Sequence, residues 1–219
     1  LEVQSGPFIG LKYPDLKSFG SVIFPKLLGC YEKELHPIID KIKKLEVDVV
    51  YDIGAAEGYY AIGMAKIFPN AIIKAIDTSD LALKLCSNLI QLNNISNIQL
   101  LNSISTDELK ADSAKRLLII SDCEGYELDF FLGIDPWVLK NAVLLIETHD
   151  HINYKLSKKL KDHFAATHQI QSIFSIDDIK KMGYPELDKF YLLSQEEKSY
   201  IVSERRGYQQ EWIYLTPKV

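Results

Sequence analysis

The alternation of short apolar runs with amphipathic segments is the feature that most constrains the fold of this chain. Runs rich in β-branched residues, which are typical of buried strands, occupy residues 47–53, 71–76, 98–101, 116–121, 142–147, 169–175 and 211–216. Apolar residues at helical spacing predict helices over 31–44, 58–68, 80–93 and 154–165. Strands that alternate with helices build a parallel sheet with helices on both faces.

The connection to the last predicted strand is different. Residues 176–210 form a long insert instead of a crossover helix, which fits a final strand that runs antiparallel to its neighbours. Within the insert, Ser194-Gln-Glu-Glu197 has the capping-box pattern and predicts the start of a helix. We therefore expect an α/β, Rossmann-like fold with seven mostly parallel strands and an antiparallel last strand. The insert is either a solvated surface or a lid over the substrate.

Length and composition fit a single domain. The chain has 219 residues, of which 47% are hydrophobic and 25% charged, as in an ordinary globular protein. Residues 1–30 are rich in Gly, Pro and aromatic residues, and we expect them to form an irregular leader. We expect the leader to pack on one domain over 31–219.

Net charge and cysteine content indicate which binding partners are disfavoured and in which cellular compartment the protein is expected. The net charge is −5 and no stretch is strongly basic, which disfavours nucleic acid as a partner. The three cysteines are widely spaced and form no CxxC pair, as expected for free thiols in a reducing compartment. No apolar run is as long as a membrane span, and the first residues lack the features of a secretory signal. We expect a cytoplasmic location.

The strongest candidate for a ligand site is the loop that follows the first predicted strand, Gly54-Ala-Ala-Glu-Gly58. A dinucleotide fingerprint needs a glycine where Ala56 stands, because the pyrophosphate lies against it. Glu57 adds a negative charge there, and the loop contains no Lys or Arg. S-adenosylmethionine has no phosphate; it carries cationic amino and sulfonium groups and a carboxylate. An acidic loop with free N–H groups at a helix start therefore favours this cofactor.

A second signal is Asp77, at the end of the second predicted strand. It lies about twenty residues past the loop, where an acid binds the ribose hydroxyls in related folds. The alternative is a cap for the next helix, a role that Ser79 or Asp80 also fits. The residues that we expect to bind the cofactor are Asp52, Gly54, Ala55, Ala56, Glu57, Gly58, Tyr59, Asp77, Thr78, Asn102, Ser103 and Asp122.

Ionisable residues also follow the fourth and fifth predicted strands. Asp122 and Glu124 come after the fourth, and Glu147, His149 and Asp150 come at the end of the fifth. Clustering of such groups at strand ends is a functional-site pattern. Each has a structural alternative: Asp150 caps the next helix, and Glu147 pairs with a neighbouring base. Tyr31, Tyr59 and Tyr60 are either core residues or a cation–π contact for the sulfonium.

Several of these motifs resemble the FkbM-like class I methyltransferases. They are Leu28-Gly-Cys-Tyr-Glu-Lys-Glu-Leu35, Asp52-Ile-Gly-Ala-Ala-Glu-Gly-Tyr-Tyr60, Asp122-Cys-Glu-Gly-Tyr-Glu127, Ile146-Glu-Thr-His149 and Glu211-Trp-Ile-Tyr-Leu-Thr-Pro217. The resemblance covers residues 28–217 and departs from the family at Cys123, where an aliphatic residue is common. It implies the seven-stranded class I methyltransferase fold, S-adenosylmethionine as methyl donor, and usually O-methylation of a sugar or natural-product hydroxyl.

For such a reaction we expect His149 to be the general base, because its ordinary pKa lies near neutrality. Asp122 or Glu124 would orient it or bind the acceptor. We expect no metal, although Asp122, Glu147, His149 and Asp150 offer the mixed oxygen and nitrogen ligands of Mg²⁺ or Mn²⁺. The expected partner is a small-molecule or saccharide acceptor. For the oligomeric state, we consider a homodimer.

Other classes of protein share parts of this pattern. A nicotinamide-dependent oxidoreductase has a similar fold, but Ala56 and Glu57 argue against it. A nucleic-acid or protein methyltransferase would use the same donor, and a non-catalytic protein could bind the cofactor alone. The acceptor is not encoded in any motif that we recognise.

Overall fold

The computed structural model describes residues 1–218, so Val219, the last residue of the predicted domain, lies outside the described part of the chain. A central sheet contains seven strands in this part. They are β1 (Val49–Ile53), β2 (Ile72–Ile76), β3 (Ile98–Leu101), β4 (Leu117–Ser121), β5 (Val143–Thr148), β6 (His168–Phe174) and β7 (Glu211–Pro217). Each lies within two residues of its predicted bounds.

The strand order is β3-β2-β1-β4-β5-β7-β6, with β7 antiparallel between β5 and β6 and the other pairs parallel. This confirms the predicted Rossmann-like fold and its antiparallel last strand. The register pairs Ile53 of β1 with Ser121 of β4. Because these two residues end their strands, the loops that begin at Gly54 and Asp122 meet at the same edge of the sheet.

Nine α-helices surround the sheet in the described residues. They are α1 (Ile23–Leu28), α2 (His36–Ile42), α3 (Tyr59–Ile67), α4 (Asp80–Leu92), α5 (Thr106–Asp112), α6 (Glu127–Leu132), α7 (Leu156–Phe164), α8 (Asp178–Lys181) and α9 (Gln195–Val202). Single 3₁₀ segments cover Lys33–Leu35 and Pro185–Phe190. The capping box of Ser194 and Glu197 opens α9 as predicted. None of these helices is long and apolar enough to cross a membrane.

The sheet is buried on both faces. Val50 packs into one hydrophobic layer, whereas Val49, Tyr51 and Ile53 pack into the layer on the opposite face. Side chains alternate between the faces of a strand, so a strand that is covered on both sides must be apolar at nearly every position. That requirement explains why β1 and β4 are short continuous apolar runs in the sequence.

The leader packs into the same core as the rest of the chain. Val3, Phe8 and Leu11 are at most 3% exposed and belong to the hydrophobic layer that contains Val50. A Cβ on Gly63 of α3 would lie 2.4 Å from the Phe8 ring, so the glycine makes room for the leader. The leader is less irregular than predicted, because it contains α1 and pairs Glu2 with Lys12 in a β-bridge.

A buried ion pair fixes the leader to the loop after β1. The Lys26 Nζ of α1 lies 2.5 Å from Glu57 Oε1, and the two side chains are 3% and 1% exposed. The hydroxyls of Ser18 and Tyr13 and the backbone N–H of Phe19 also donate hydrogen bonds to the Glu57 carboxylate. Burial alone would raise the pKa of Glu57, but Lys26 and these hydrogen bonds hold it below its usual value.

We predict that Lys26→Met lowers the free energy of unfolding by about 3–5 kcal/mol, because it leaves the Glu57 carboxylate buried without a partner. Urea denaturation followed by circular dichroism measures this loss. The matched control is Lys17→Met, which removes the exposed pair with Asp15 and should cost no more than about 1 kcal/mol. Equal stability of the two variants would contradict the structural role of the buried pair.

Candidate active site

A cavity of about 660 Å³ opens at the carboxyl edge of β1, β2 and β4. Ligands bind at this edge in open α/β sheets. The residues predicted to bind the cofactor that line this cavity are Asp52, Gly54, Ala55, Ala56, Glu57, Tyr59, Asp77, Thr78, Asn102, Ser103 and Asp122. Gly58 is the exception. It is the N-cap residue of α3 and has a φ of +97°. A Cβ there would lie 2.5 Å from the Cys86 sulfur, so its role is to let α3 pack closely against α4.

Gly54 is required where the two loops cross. Its φ is +84°, and a Cβ at this position would lie 1.7 Å from the carbonyl oxygen of Asp122. Asp122 in turn donates its backbone N–H to the carbonyl of Ile53 at 2.9 Å. The absence of a side chain at Gly54 therefore allows the chain segment carrying Asp122 to lie directly against the loop.

Asp77 supports the loop as well as facing the cavity. One of its carboxylate oxygens accepts the backbone N–H of Ala56 at 2.9 Å, and the other accepts that of Ser79 at 2.8 Å. Ser79 is the residue that caps α4, through a hydrogen bond from Ala82. Each carboxylate oxygen can accept a second hydrogen bond, so the predicted contact with ribose hydroxyls is compatible with these backbone bonds.

Asp52 is a buried carboxylate at the cavity wall with an unsatisfied oxygen. It is 3% exposed, and its Oδ2 has no hydrogen-bond partner. Burial raises the pKa of Asp52 to about 7, against a hydrogen bond from the backbone of Ala61, and the charges of Asp122 and Asp77 add to the rise. A cationic group in the cavity would stabilise the ionised carboxylate.

The loop is less acidic than its sequence indicates. We treated Glu57 as an unpaired negative charge, but Lys26 neutralises it. The same Nζ lies 4.9 Å from the centre of the Tyr31 ring and 5.1 Å from that of Tyr59. Lys26 therefore makes cation–π contacts with two of the three tyrosines that are candidates for contact with a sulfonium group, Tyr31 and Tyr59. No motif near the loop predicts these contacts, because Lys26 belongs to the leader.

A second cluster surrounds His149, next to the cavity. The ring is 1% exposed, with its Nδ1 2.9 Å from Glu127. Its Nε2 lies 3.4 Å from Asp122, 3.6 Å from Glu124 and 3.8 Å from Glu147. Asp122 and Glu124 line the cavity, whereas His149 lies behind them and is not a lining residue. Glu127 was missed as a site residue, although it ends the Asp-x-Glu-Gly-x-Glu motif.

Not every predicted member joins this cluster. Asp150 is exposed and accepts the backbone N–H of Ser157 at 2.9 Å, so it has the capping role that was the structural alternative. His151 is also exposed, with its Nε2 2.6 Å from the Tyr208 hydroxyl.

The charges of the cluster determine the pKa of His149, the expected general base. Burial lowers the pKa of His149, but Asp122 and Glu127 outweigh it and raise the pKa to about 10. Burial and the neighbouring Asp122 raise the pKa of Glu147 well above its usual range. A histidine must be neutral before it can take a proton. This environment therefore disfavours His149 as a general base near neutral pH.

Arg206 connects the insert to the sheet edge. Its guanidinium lies 2.6 Å from Glu32, 2.8 Å from Glu204 and 3.2 Å from Glu147. The Tyr60 hydroxyl also donates a hydrogen bond to Glu32. Glu147 thus pairs with a base, as its structural alternative proposed. The end of the insert is fixed beside the cavity by buried charges that the sequence motifs did not reveal.

Comparison with known proteins supports the fold. No protein-family model matches the chain, and no match was found among curated proteins. A solved structure described only as a proposed O-methyltransferase from Klebsiella pneumoniae is similar, with a TM-score of 0.54 and 9% identity over 87% of this chain and 81% of that one.

An rRNA methylase from Streptococcus thermophilus aligns over 85% of this chain and 97% of its own, with a TM-score of 0.52 and 12% identity. A ribosomal protein L11 methylase from Lactobacillus delbrueckii subsp. bulgaricus aligns over 87% and 80%, with a TM-score of 0.50 and 17% identity. The chain therefore shares its Rossmann-like fold with these methyltransferase structures.

We predict that Arg206→Met loosens the insert, because it leaves the carboxylates of Glu32, Glu147 and Glu204 without their shared cation. Hydrogen exchange measured by mass spectrometry should become faster over residues 176–204. Arg205→Met is the matched control, since Arg205 is exposed and its guanidinium only stacks over the Tyr200 ring. Unchanged exchange in the Arg206 variant would show that other contacts hold the insert.

Proposed function

We propose that this protein is an S-adenosylmethionine-dependent methyltransferase. The observation that carries the proposal is the buried Asp52 carboxylate, whose Oδ2 has no hydrogen-bond partner among the described residues, in the wall of a cavity of about 660 Å³. A cavity of this size holds a small-molecule cofactor. The α-amino group of the donor is the kind of cation that would compensate Asp52.

The other lining residues suit the rest of the donor. The ribose hydroxyls can donate to Asp77, and the adenine can use the mixed polar and apolar wall made by Asn102, Ser103 and Ile104. The Gly54 turn leaves the backbone open to the ligand, because no side chain lies over it.

A dinucleotide fits this site less well. Ala56 occupies the position where a glycine would admit the pyrophosphate, and it has a left-handed φ of +49°. Lys26 brings a positive charge to the cavity, but its ammonium is bound by Glu57 and two serine hydroxyls. Its hydrogen bonds are therefore already used within the protein, and it is not available to bind phosphate.

The chemistry that we propose is O-methylation of a hydroxyl on a sugar or natural-product small molecule, as the resemblance to the FkbM-like family implies. When bound, the donor supplies an activated methyl group for an in-line displacement. Asp122 and Glu124 can accept hydrogen bonds from the acceptor at the cavity edge. His149 orients Asp122 from behind. We infer that these residues act mainly by positioning the acceptor and excluding water, instead of by strong base catalysis.

We predict that S-adenosylhomocysteine binds at one site per chain and that NADP does not bind. Isothermal calorimetry measures both. Gly54→Ala should abolish binding, since its Cβ would clash with the Asp122 carbonyl. Gly207→Ala is the control, because a Cβ there meets nothing within 4 Å. Tight NADP binding without S-adenosylhomocysteine binding would refute the cofactor assignment.

We also predict that affinity for S-adenosylhomocysteine falls as the pH drops below 7. With a pKa of about 7, Asp52 is protonated in the free protein at low pH and must lose that proton to bind an ammonium group. Below pH 7 the loss should approach about tenfold per pH unit. The affinity of the Asp52→Asn variant should show no such slope between pH 5 and 7. Adenosine, which lacks the homocysteine part with its α-amino group, should show no slope with the native protein. Equal slopes for the native protein and the variant would contradict this role.

A further inference from the structure

The cluster around His149 contains buried donor atoms that have no hydrogen-bond partner. One donor atom each from Asp122, Glu127 and His149 lie within 4.8 Å of one another. Glu127 is fully buried and His149 is 1% exposed. Among the described residues, Asp122 Oδ1, Glu127 Oε2 and the Nε2 of His149 form no hydrogen bond, whereas the Nδ1 of His149 faces Glu127 at 2.9 Å. Buried polar atoms are nearly always satisfied in folded proteins, so the unsatisfied Nε2 and Asp122 Oδ1 indicate a missing ligand between them.

The geometry around the ring indicates what kind of ligand is missing. Carboxylates approach His149 closely, yet the ring nitrogens form no aligned hydrogen bond with them. Two ligands that share a metal ion at about 2.0–2.2 Å lie roughly 3 Å apart, and the lone pair of each points at the ion and not at the other ligand. The 3.4 Å between Nε2 and Asp122 Oδ1, with neither atom hydrogen-bonded, fits this arrangement.

The two sides of the ring have different surroundings. Glu127 lies on the Nδ1 side and also accepts the backbone N–H of Cys123 at 2.8 Å, so its position is fixed. Asp122 and Glu124 lie on the Nε2 side, at the cavity. A histidine that binds a metal through one nitrogen commonly donates the other N–H to a carboxylate, which orients the ring. Glu127 has the position of that orienting carboxylate.

We propose that Asp122, Glu124 and the Nε2 of His149 bind a divalent cation, with Glu127 as the positioning residue for the imidazole. Carboxylates suit Mn²⁺ and Mg²⁺, and an imidazole favours a transition metal, so Mn²⁺ matches the whole set. Asp122 and Glu124 place two carboxylates on the Nε2 side of the ring, where they attract a cation. This site differs from the metal alternative considered from the sequence, because Glu124 belongs to it whereas Glu147 pairs with Arg206 and Asp150 lies outside it.

The position of the ion gives it a role that rests on the proposed function. Two of its ligands line the cavity in which we propose that the methyl donor binds. An acceptor hydroxyl that coordinates the ion would have a lowered pKa and would release its proton to water. Its oxygen would then bond to the methyl carbon as the bond between that carbon and the sulfonium sulfur breaks. The ion would thus activate the nucleophile, and the imidazole, which has to be neutral at Nε2 to bind the ion, would not have to take a proton. Metal binding itself does not depend on the donor.

The test is a titration of chelator-treated protein with Mn²⁺, followed by the electron paramagnetic resonance signal of the free ion. The native protein should deplete the signal with one site per chain. His149→Ala should bind at least 100-fold more weakly, about the effect of losing a ligand, and Glu127→Gln should bind about 10–100-fold more weakly, as for other orienting residues. His151→Ala is the control, because its side chain is an exposed histidine two residues further along the same loop, and it should bind as the native protein does.

A second variant tests the proposal even if His149→Ala does not fold. Glu124 is 73% exposed, so Glu124→Gln should fold normally and still bind Mn²⁺ more weakly. Native protein that leaves the free-ion signal unchanged, or that depletes it no more than His149→Ala does, would overturn the proposal. Calorimetry with S-adenosylhomocysteine on the same metal-free sample separates the two proposals. Donor binding without Mn²⁺ binding refutes only the metal site, and the reverse result refutes only the methyltransferase assignment.

Discussion

The arrangement of the site depends on the buried pair between Lys26 and Glu57. An isolated carboxylate at a helix start inside the core would be strongly destabilising, so the leader must supply its partner. By doing so, the leader covers one side of the loop after β1, and Phe19 joins the cavity wall. The same pair removes the free negative charge of the loop and the free positive charge of Lys26. What remains to select a ligand is the Asp52 carboxylate, whose Oδ2 has no hydrogen-bond partner among the described residues.

A second constraint is the close approach of the loops after β1 and β4. Gly54 lets the Asp122 backbone lie against it, and Asp122 then reaches both the cavity and the His149 cluster. Arg206 holds the other side of that cluster through Glu147 and Glu32. The cavity of the proposed donor site and the proposed metal site therefore share two residues, Asp122 and Glu124. Asp122 is positioned by the backbone of the loop after β1 and by the charges of the His149 cluster.

The sequence predicts those secondary-structure elements that depend on the order of apolar and polar residues within a short segment. The strands were recognisable because burial on both faces requires continuous apolar runs, and the long insert before β7 indicated its antiparallel direction. The helix α5 was missed, although Ser105 and Glu108 form a capping box that the sequence contains. The charge pairs could not be predicted, because Lys26 and Glu57 are 31 residues apart and Glu32 and Arg206 are 174 apart. The raised pKa of His149 was not predicted because Glu127, which faces the Nδ1 of the ring, was not recognised as a neighbour of the histidine.

The most direct test of the central claim is a crystal structure of the protein grown with S-adenosylhomocysteine. Our account predicts electron density for the ligand in the cavity at the carboxyl edge of β1 and β2, with its amino group at Asp52 and its ribose hydroxyls at Asp77. Density at another place on the molecule, or a cavity that contains only water at saturating ligand concentration, would contradict it.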